Sequence, residues 1–330
     1  MRAAESIMDL NDRRVFAFIA IGILVLGMIL RVGLLTSPSP LFEPDGFFDY
    51  AVLQQAVQNH FVVGSTLLLS GFPWHNPIGE PKGEYYILLI PYYLLQHFNI
   101  SILSLMRIIA PVFGLLYILL AYPLTKMLTK SRSAALLSMF FVAISNGSIA
   151  RSAATVYRGD VFAPLFLILA LLLLYRSVVE KRTTRKILYA IAAPLALSLM
   201  VALWNGAAFG YAAYVLALVL LTAASFIKRD CTIARSTLIA ALPFILAYFM
   251  AHAMLYYGLS TNVGMQLIGV DFLAIYFGII ALSLLSMFLS RRKYGLRFMH
   301  SEKGRSVIVV SLFALSLAAV YIIFPGCARG

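Results

Sequence analysis

The sequence predicts an all-α membrane protein: a polytopic helical bundle of about nine transmembrane helices with a long first external loop. Three observations predict it. Of the 330 residues, 62% are hydrophobic and only 12% are charged, where a soluble domain carries about a quarter charged residues. Mean hydropathy is +0.92, and apolar runs near the roughly 20 residues that cross a bilayer recur along the chain. The basic residues gather in short clusters between alternate apolar runs, as cytoplasmic loops do.

The nine runs are 15–35, 104–124, 134–150, 161–176, 187–203, 207–227, 237–257, 271–290 and 306–324. They lack the alternation of a membrane barrel, so helices are the spanning form. The first run is long and is followed by no small-residue cleavage site, which reads as an uncleaved anchor. With the N-terminus inside, 20 of the 26 basic residues fall on the cytoplasmic side. The other six are Arg31, Lys82, Arg107, Arg151, Arg158 and Arg329. This asymmetry predicts a multi-pass cell-membrane protein with a cytoplasmic N-terminus and an external C-terminus.

The formal charge of +13 does not indicate nucleic acid, because the positive residues line the short connectors between spans. Cys231 and Cys327 lie in different loops and make neither a metal motif nor a disulfide framework. There is no Gly-rich phosphate loop with its lysine, which argues against ATP hydrolysis. No Ser/His/Asp constellation falls on one side of the membrane.

One connector is long: residues 36–103 form an external loop, and loops of such length are usually functional. Its second half, YYILLIPYYLLQHF, mixes Tyr85, Tyr86, Tyr92 and Tyr93 with aliphatic residues, which suits a helix lying in the membrane interface. Under this topology six acidic residues are cytoplasmic and sit among basic ones. Glu43, Asp45, Asp49, Glu80, Glu84, Asp160 and Asp271 are external.

Two external sites have the residue types for chemistry. Glu43, Asp45 and Asp49 follow the first span, and grouped carboxylates are the oxygen donors a hard divalent cation takes. The same residues equally suit a helix start after Ser39 and Pro40. Asp160, in Tyr157-Arg158-Gly159-Asp160, stands where the chain re-enters the membrane. An ionisable group there needs a partner, since at a helix centre it costs about 2.5–3.5 kcal/mol. Arg158 and Arg151 are the available partners in a structural ion pair. The functional alternative has Asp160 as a metal ligand and an arginine facing a phosphate. His75 is either a metal or phosphate contact or a turn residue before Pro77, and Trp204 suits an interfacial anchor.

Taken in order, these pieces form a set: E-P-D-G-F-F-D-Y from Glu43, H-N-P-I-G-E-P-K-G from His75, S-I-A-R-S from Ser148, Gly159-Asp160, then Trp204-Asn205-Gly206. The set resembles the N-terminal membrane part of the catalytic subunit of oligosaccharyltransferase, of archaeal single-subunit type, in the glycosyltransferase C superfamily. The motifs cover Arg14 to Trp204, and the later spans match by topology only.

The resemblance implies an enzyme that moves an oligosaccharide from a dolichyl (poly)phosphate donor to asparagine in Asn-X-Ser/Thr acceptors, assisted by Mn²⁺ or Mg²⁺. It implies Asp45 and Asp160 as catalytic residues and metal ligands, and Glu43 as the acid that often precedes the first aspartate. Arg151, Arg158 and His75 would meet the donor phosphates, and Trp204 would border the site. The implied partners are the dolichyl-linked donor, an acceptor polypeptide and membrane lipids, not nucleic acid.

Two features depart from the family's pattern. Arg158 occupies the first of the two positions that are usually acidic or metal-binding in the second motif. The family's long outer loop with its glutamate, its further spans and its soluble Trp-Trp-Asp domain are expected to be absent from residues 1–330, leaving one transmembrane domain. Three explanations remain open: an incomplete product, a separate C-terminal polypeptide that completes the chain, or a paralogue with another acceptor. Two rival functions are also open. One is a dolichyl-phosphate-sugar-dependent transferase acting on another acceptor. The other is a lipid or solute transporter, which would place ionisable groups or broken helices near mid-bilayer in two related halves.

Overall fold

The computed structural model describes residues 13–33, 41, 44–67, 76–228, 230–261, 270–291 and 301. Helix α1 (Arg13–Val32) fills the first apolar run. Within the long connector follow α2 (Pro44–Gln58), a two-residue antiparallel ladder of β1 (Thr66–Leu67) and β2 (Asn76–Pro77), and α3 (Lys82–Leu95). Then come α4 (Ile102–Thr129), α5 (Arg132–Ile144), α6 (Asn146–Ser152), α7 (Ala163–Val179), α8 (Thr183–Leu203) and α9 (Ala207–Lys228). The last are α10 (Cys231–Ala241), α11 (Phe244–Tyr256) and α12 (Val270–Arg291).

Eight of the nine predicted runs therefore carry helix, and the ninth, 306–324, lies outside the described residues. Among the described residues six helices are long and apolar enough to cross a membrane, or seven if a bent pair counts as one span. This makes the chain a multi-pass helical membrane protein. The chain divides into two compact units: 1–173 with 192–211 and 246–269, and 174–191 with 212–245 and 270–330.

In the first unit α1 packs on α4 and α5. Helix α4 begins on Ser101, whose hydroxyl accepts the Ser104 N–H at 3.0 Å, and ends on Lys130 in the left-handed conformation. Ser131 then caps α5 by accepting from the Ala134 N–H. The predicted run 134–150 is not one straight helix. It breaks at Ser145 and turns by 57° into α6.

A break inside an apolar run frees backbone carbonyls that hydrocarbon cannot satisfy. Arg31 of α1 meets that need. Its fully buried guanidinium donates to Ala143 O at 3.1 Å, Gly27 O at 2.9 Å, Ser148 Oγ at 2.5 Å and Ser152 Oγ at 2.8 Å. Tyr117 of α4 completes the cluster, donating to Ser148 O at 2.9 Å with its ring 5.9 Å from the guanidinium carbon. Gly114 is required beside it, because a Cβ there would stand 2.6 Å from Arg31 Nε.

Helices α2 and α3 and the ladder sit on a core of Leu53, Leu88, Leu89, Met106, Tyr157 and Phe162. Helix α3 buries Tyr85, Leu88 and Leu89 and exposes Ile90, Tyr93 and Leu94. Its exposed side is thus aromatic and aliphatic, as an interfacial helix requires.

In the second unit Asp230 caps α10, accepting from the N–H groups of Thr232 and Ile233. Tyr214 stacks on Phe244 at 4.9 Å between centroids. Thr222 and Ser225 of α9 face Ser283 and Ser286 of α12 at 3.4 and 3.2 Å, hydroxyl to hydroxyl, a small-residue packing common between membrane helices.

Replacing Arg31 by Met leaves the Ala143 carbonyl and two serine hydroxyls without their donor, each such loss costing about 1–3 kcal/mol. The purified protein in detergent is expected to melt several degrees lower. Gly114→Ala is expected to lower it as well, by overpacking worth roughly 1–3 kcal/mol. Thermal scanning of both variants checks this.

Candidate functional site

The site is assembled within the first unit from four short stretches. Pro44 starts α2, with its fixed φ suited to a first helical position. Asp45 then lies in the first turn and Asp49 one turn later on the same side. The grouping is therefore both a helix start and part of a polar pocket. Asp49 is buried, and its Oδ1 accepts a 2.9 Å hydrogen bond from the Tyr85 hydroxyl.

The second stretch is the entry into α3, which carries Glu80 and Glu84. The third is the turn Gly159–Val161 ahead of α7, which carries Asp160 with Arg158 just before it. Tyr157 ties these two together, its hydroxyl donating to Glu84 O at 2.7 Å. Glycine at 159 is needed for this approach. A Cβ there would collide with Leu203 O and stand 2.7 Å from Glu84 Oε2. The fourth stretch is Trp204 and Asn205 between α8 and α9. Asn205 donates to Glu80 Oε2 at 2.9 Å and Gly79 O at 3.1 Å, and accepts from the Thr261 hydroxyl.

Together they line a pocket of about 320 Å³ whose walls include Asp45, Asp49, Glu80, Glu84, Asp160 and Arg158, with Trp204 and Asn205 along one side. Five carboxylates thus share one small space. Two ion pairs offset part of that charge: Arg158 Nη1 to Asp45 Oδ2 at 3.2 Å and Arg151 Nη1 to Asp160 Oδ2 at 3.1 Å.

The remaining acids hold their protons tightly. Burial pushes the Asp49 carboxyl up to about 8; Glu80 and Asp45 add to this, while the Tyr85 hydrogen bond and Arg158 oppose it. Burial also lifts Glu84 well above the usual carboxylate range, with repulsion from Asp49, Glu80 and Asp160 behind it. Glu80 is raised by burial too, against the pull of Arg158. Tyr85 and Tyr157 are raised by burial beside these acids.

Asp45, Asp160, Arg158 and Trp204 of the sequence-predicted set thus line one pocket, and Arg151 reaches Asp160 at its edge. Glu43 and His75 lie outside the described residues. Each arginine is engaged by a carboxylate. Among the described residues no three His, Cys, Asp or Glu side chains are already gathered as a metal cage.

Sequence reasoning grouped Asp49 with Glu43 and Asp45 as possible cation donors but did not select Glu80, Glu84 or Asn205. The available signals were the two four-residue spacings, 45 to 49 and 80 to 84, and the topology that put all of these acids on one side.

Fold and pocket define a class: a polytopic membrane protein with a carboxylate-rich, arginine-flanked site beside its long connector. Residues 38–325 match the family model described as oligosaccharyl transferase STT3, N-terminal. The chain belongs to that family.

No curated protein sequence matches it. Among solved structures it is similar to the oligosaccharyltransferase AglB from Archaeoglobus fulgidus in complex with an inhibitory peptide and a dolichol-phosphate. There the identity is 16% and the TM-score 0.68, covering 98% of this chain and 39% of that one. A structure of the Archaeoglobus fulgidus oligosaccharyltransferase with zinc and sulfate matches at 15% identity and TM-score 0.64, covering 93% and 40%. Another, tethered to an acceptor peptide containing the NVT sequon, matches at 15% and 0.65, covering 96% and 39%. At these identities the likeness is one of fold. The chain spans about two fifths of the length of these proteins.

The raised acids give a pH prediction. Folded Asp49 keeps its proton up to about 8, whereas the ordinary carboxyl releases it near 3.8. Its contribution to stability is therefore greatest at the acid end and is lost as pH climbs between those values. The melting temperature of chelator-treated protein is expected to fall from pH 5 to pH 8, and Asp49→Asn should make that fall shallower.

Proposed function

We propose that this protein is the membrane part of an oligosaccharyltransferase catalytic subunit. It transfers an oligosaccharide from a dolichyl (poly)phosphate donor to the side-chain amide of asparagine in Asn-X-Ser/Thr acceptors. The observation that carries the reading is the convergence, in an STT3-family chain, of Asp45 from α2 and Asp160 from the turn before α7 on one pocket flanked by Arg151 and Arg158. The activity, donor and acceptor assigned here are those of the whole enzyme.

The pocket's residues suit a hard divalent cation. Its donors are carboxylate oxygens, they outnumber the two arginines, and both Glu84 oxygens are buried without a hydrogen-bond partner. Asp45 and Asp160 would hold Mn²⁺ or Mg²⁺, which as a Lewis acid neutralises the phosphate that leaves the sugar. Arg151 and Arg158, half-exposed beside those carboxylates, are placed to meet phosphate oxygens.

In the reaction a bond forms between the amide nitrogen and the anomeric carbon. The carbon–oxygen bond to the phosphate breaks, and the amide gives up a proton. An amide is a poor nucleophile, so Asp45 serves by accepting a hydrogen bond from its N–H group. Trp204 and Asn205 wall one side of the space the amide enters.

The excess of basic residues on one side supports a cytoplasmic N-terminus, with the pocket opening outside at the membrane surface. A polyprenyl donor then reaches it laterally from the bilayer. The solved relatives are longer, and sequence beyond residues 1–330 would supply the rest of their length.

Four measurements test this reading. Membrane-impermeant maleimide is expected to reach Cys231 only from the cytoplasmic side and Cys327 only from outside; labelling of both from one side overturns the orientation. Asp45→Asn is expected to weaken Mn²⁺ binding at least about ten-fold, roughly 1.4 kcal/mol, with little change in melting temperature. Undiminished binding makes Asp45 a loop charge only. Arg151→Ala is expected to weaken dolichyl phosphate binding by about the same factor. Transfer to an Asn-X-Thr peptide is expected to be weak with the 330-residue chain alone and restored by a co-expressed C-terminal portion.

A further inference from the structure

We propose that Glu84 is a further ligand of this site, a carboxylate contributed by α3 to the divalent cation held by Asp45 and Asp160. The inference rests on the metal-assisted reading above and assigns to it a residue from a third stretch of the chain.

Glu84 is 1% exposed, and neither carboxyl oxygen has a hydrogen-bond partner. Every other carboxylate of the pocket is engaged. Asp45 and Asp160 pair with arginines, Asp49 accepts from Tyr85, and Glu80 accepts from Asn205. Among the described pocket-lining acids Glu84 alone has both carboxyl oxygens buried without a hydrogen-bond partner.

Its position is built, not accidental. Tyr157 holds the backbone of Glu84, and Gly83 lies so close to Ala202 that a Cβ would collide with its carbonyl. The missing side chain of Gly159 leaves the space that Glu84 Oε2 occupies, beside the turn that carries Asp160. Two of these constraints fix the backbone at the start of α3, and the third makes room for the carboxyl, which lines the pocket.

The ligand that fits is cationic and takes oxygen. A neutral N–H donor would satisfy one of two adjacent oxygens and leave the excess of carboxylates uncorrected. A hard divalent ion takes six or more oxygens, and Asp45 with Asp160 supply at most four. Entry of the ion exchanges the Arg158–Asp45 and Arg151–Asp160 pairs for metal bonds, whereas Glu84 gives up no partner.

The test uses the purified 330-residue chain in detergent and Mn²⁺ alone, followed by electron paramagnetic resonance. Glu84→Gln, which keeps size and hydrogen bonding, is expected to raise the Mn²⁺ Kd at least ten-fold. A second readout needs no variant. A hydrophobic carbodiimide should label Glu84 in metal-free protein, as seen by mass spectrometry of its peptide, and saturating Mn²⁺ should protect it. Unchanged Mn²⁺ affinity in Glu84→Gln, or equal labelling with and without Mn²⁺, overturns the role of Glu84 and leaves the Asp45–Asp160 reading standing. If the parent chain binds no Mn²⁺ while Glu84 is readily labelled, the metal reading itself fails and this inference with it.

Discussion

The first unit turns on a buried guanidinium that, among the described residues, bonds to no carboxylate. Arg31 sits inside an apolar helix and bonds to carbonyls and hydroxyls on both sides of the Ser145 break. Without that break the third predicted run would continue straight through Ala150. With it, α6 turns aside by 57° and delivers Arg151 to Asp160. Ser152, bonded to Arg31, is the next residue after Arg151, so the anchor and the pocket's edge are one peptide apart. The Ala154 N–H donates to Arg31 O at 2.9 Å, which extends the same hold toward Tyr157 and the Gly159 turn.

The pocket has a second constraint, which is electrostatic. Its acids come from α2, from the entry to α3 and from the turn before α7, and each of those stretches is packed on a shared apolar core. Packing therefore brings together like charges that would otherwise separate. Two arginine pairs and bound protons offset part of the repulsion, and the proposed cation would offset the rest. A site in this state is most stable at acid pH, and a cation bound to its raised acids would have to displace their protons. The site needs no large rearrangement of backbone, because Tyr157, Gly83 and Gly159 already hold the walls.

The membrane class and eight of the helical runs were legible because bilayer-spanning length and loop charge are local properties of sequence. Asp45 and Asp160, which line one pocket, were singled out from their motifs and from the side of the membrane that the charge pattern predicts. Their partners were not. The sequence offered both arginines to Asp160, and the structure divides them, Arg158 to Asp45 and Arg151 to Asp160. That choice depends on where α2 stands relative to the 158–160 turn, a distance no local pattern encodes. Glu80 and Glu84 were equally visible as letters and equally silent as site residues.

By itself, the sequence determined the number and character of most apolar runs, the sorting of charges between their connectors, and the family to which those motifs belong. The first two follow from hydrophobicity and charge read a few residues at a time, and the third from the resemblance of the motifs. Only the tertiary structure decided the break after Ile144, the pairing of each arginine, and the burial of Glu84 against Gly159. Those features depend on contacts between residues from nine to more than a hundred positions apart. Such contacts exist only once the helices are packed and the polar groups left over must find one another.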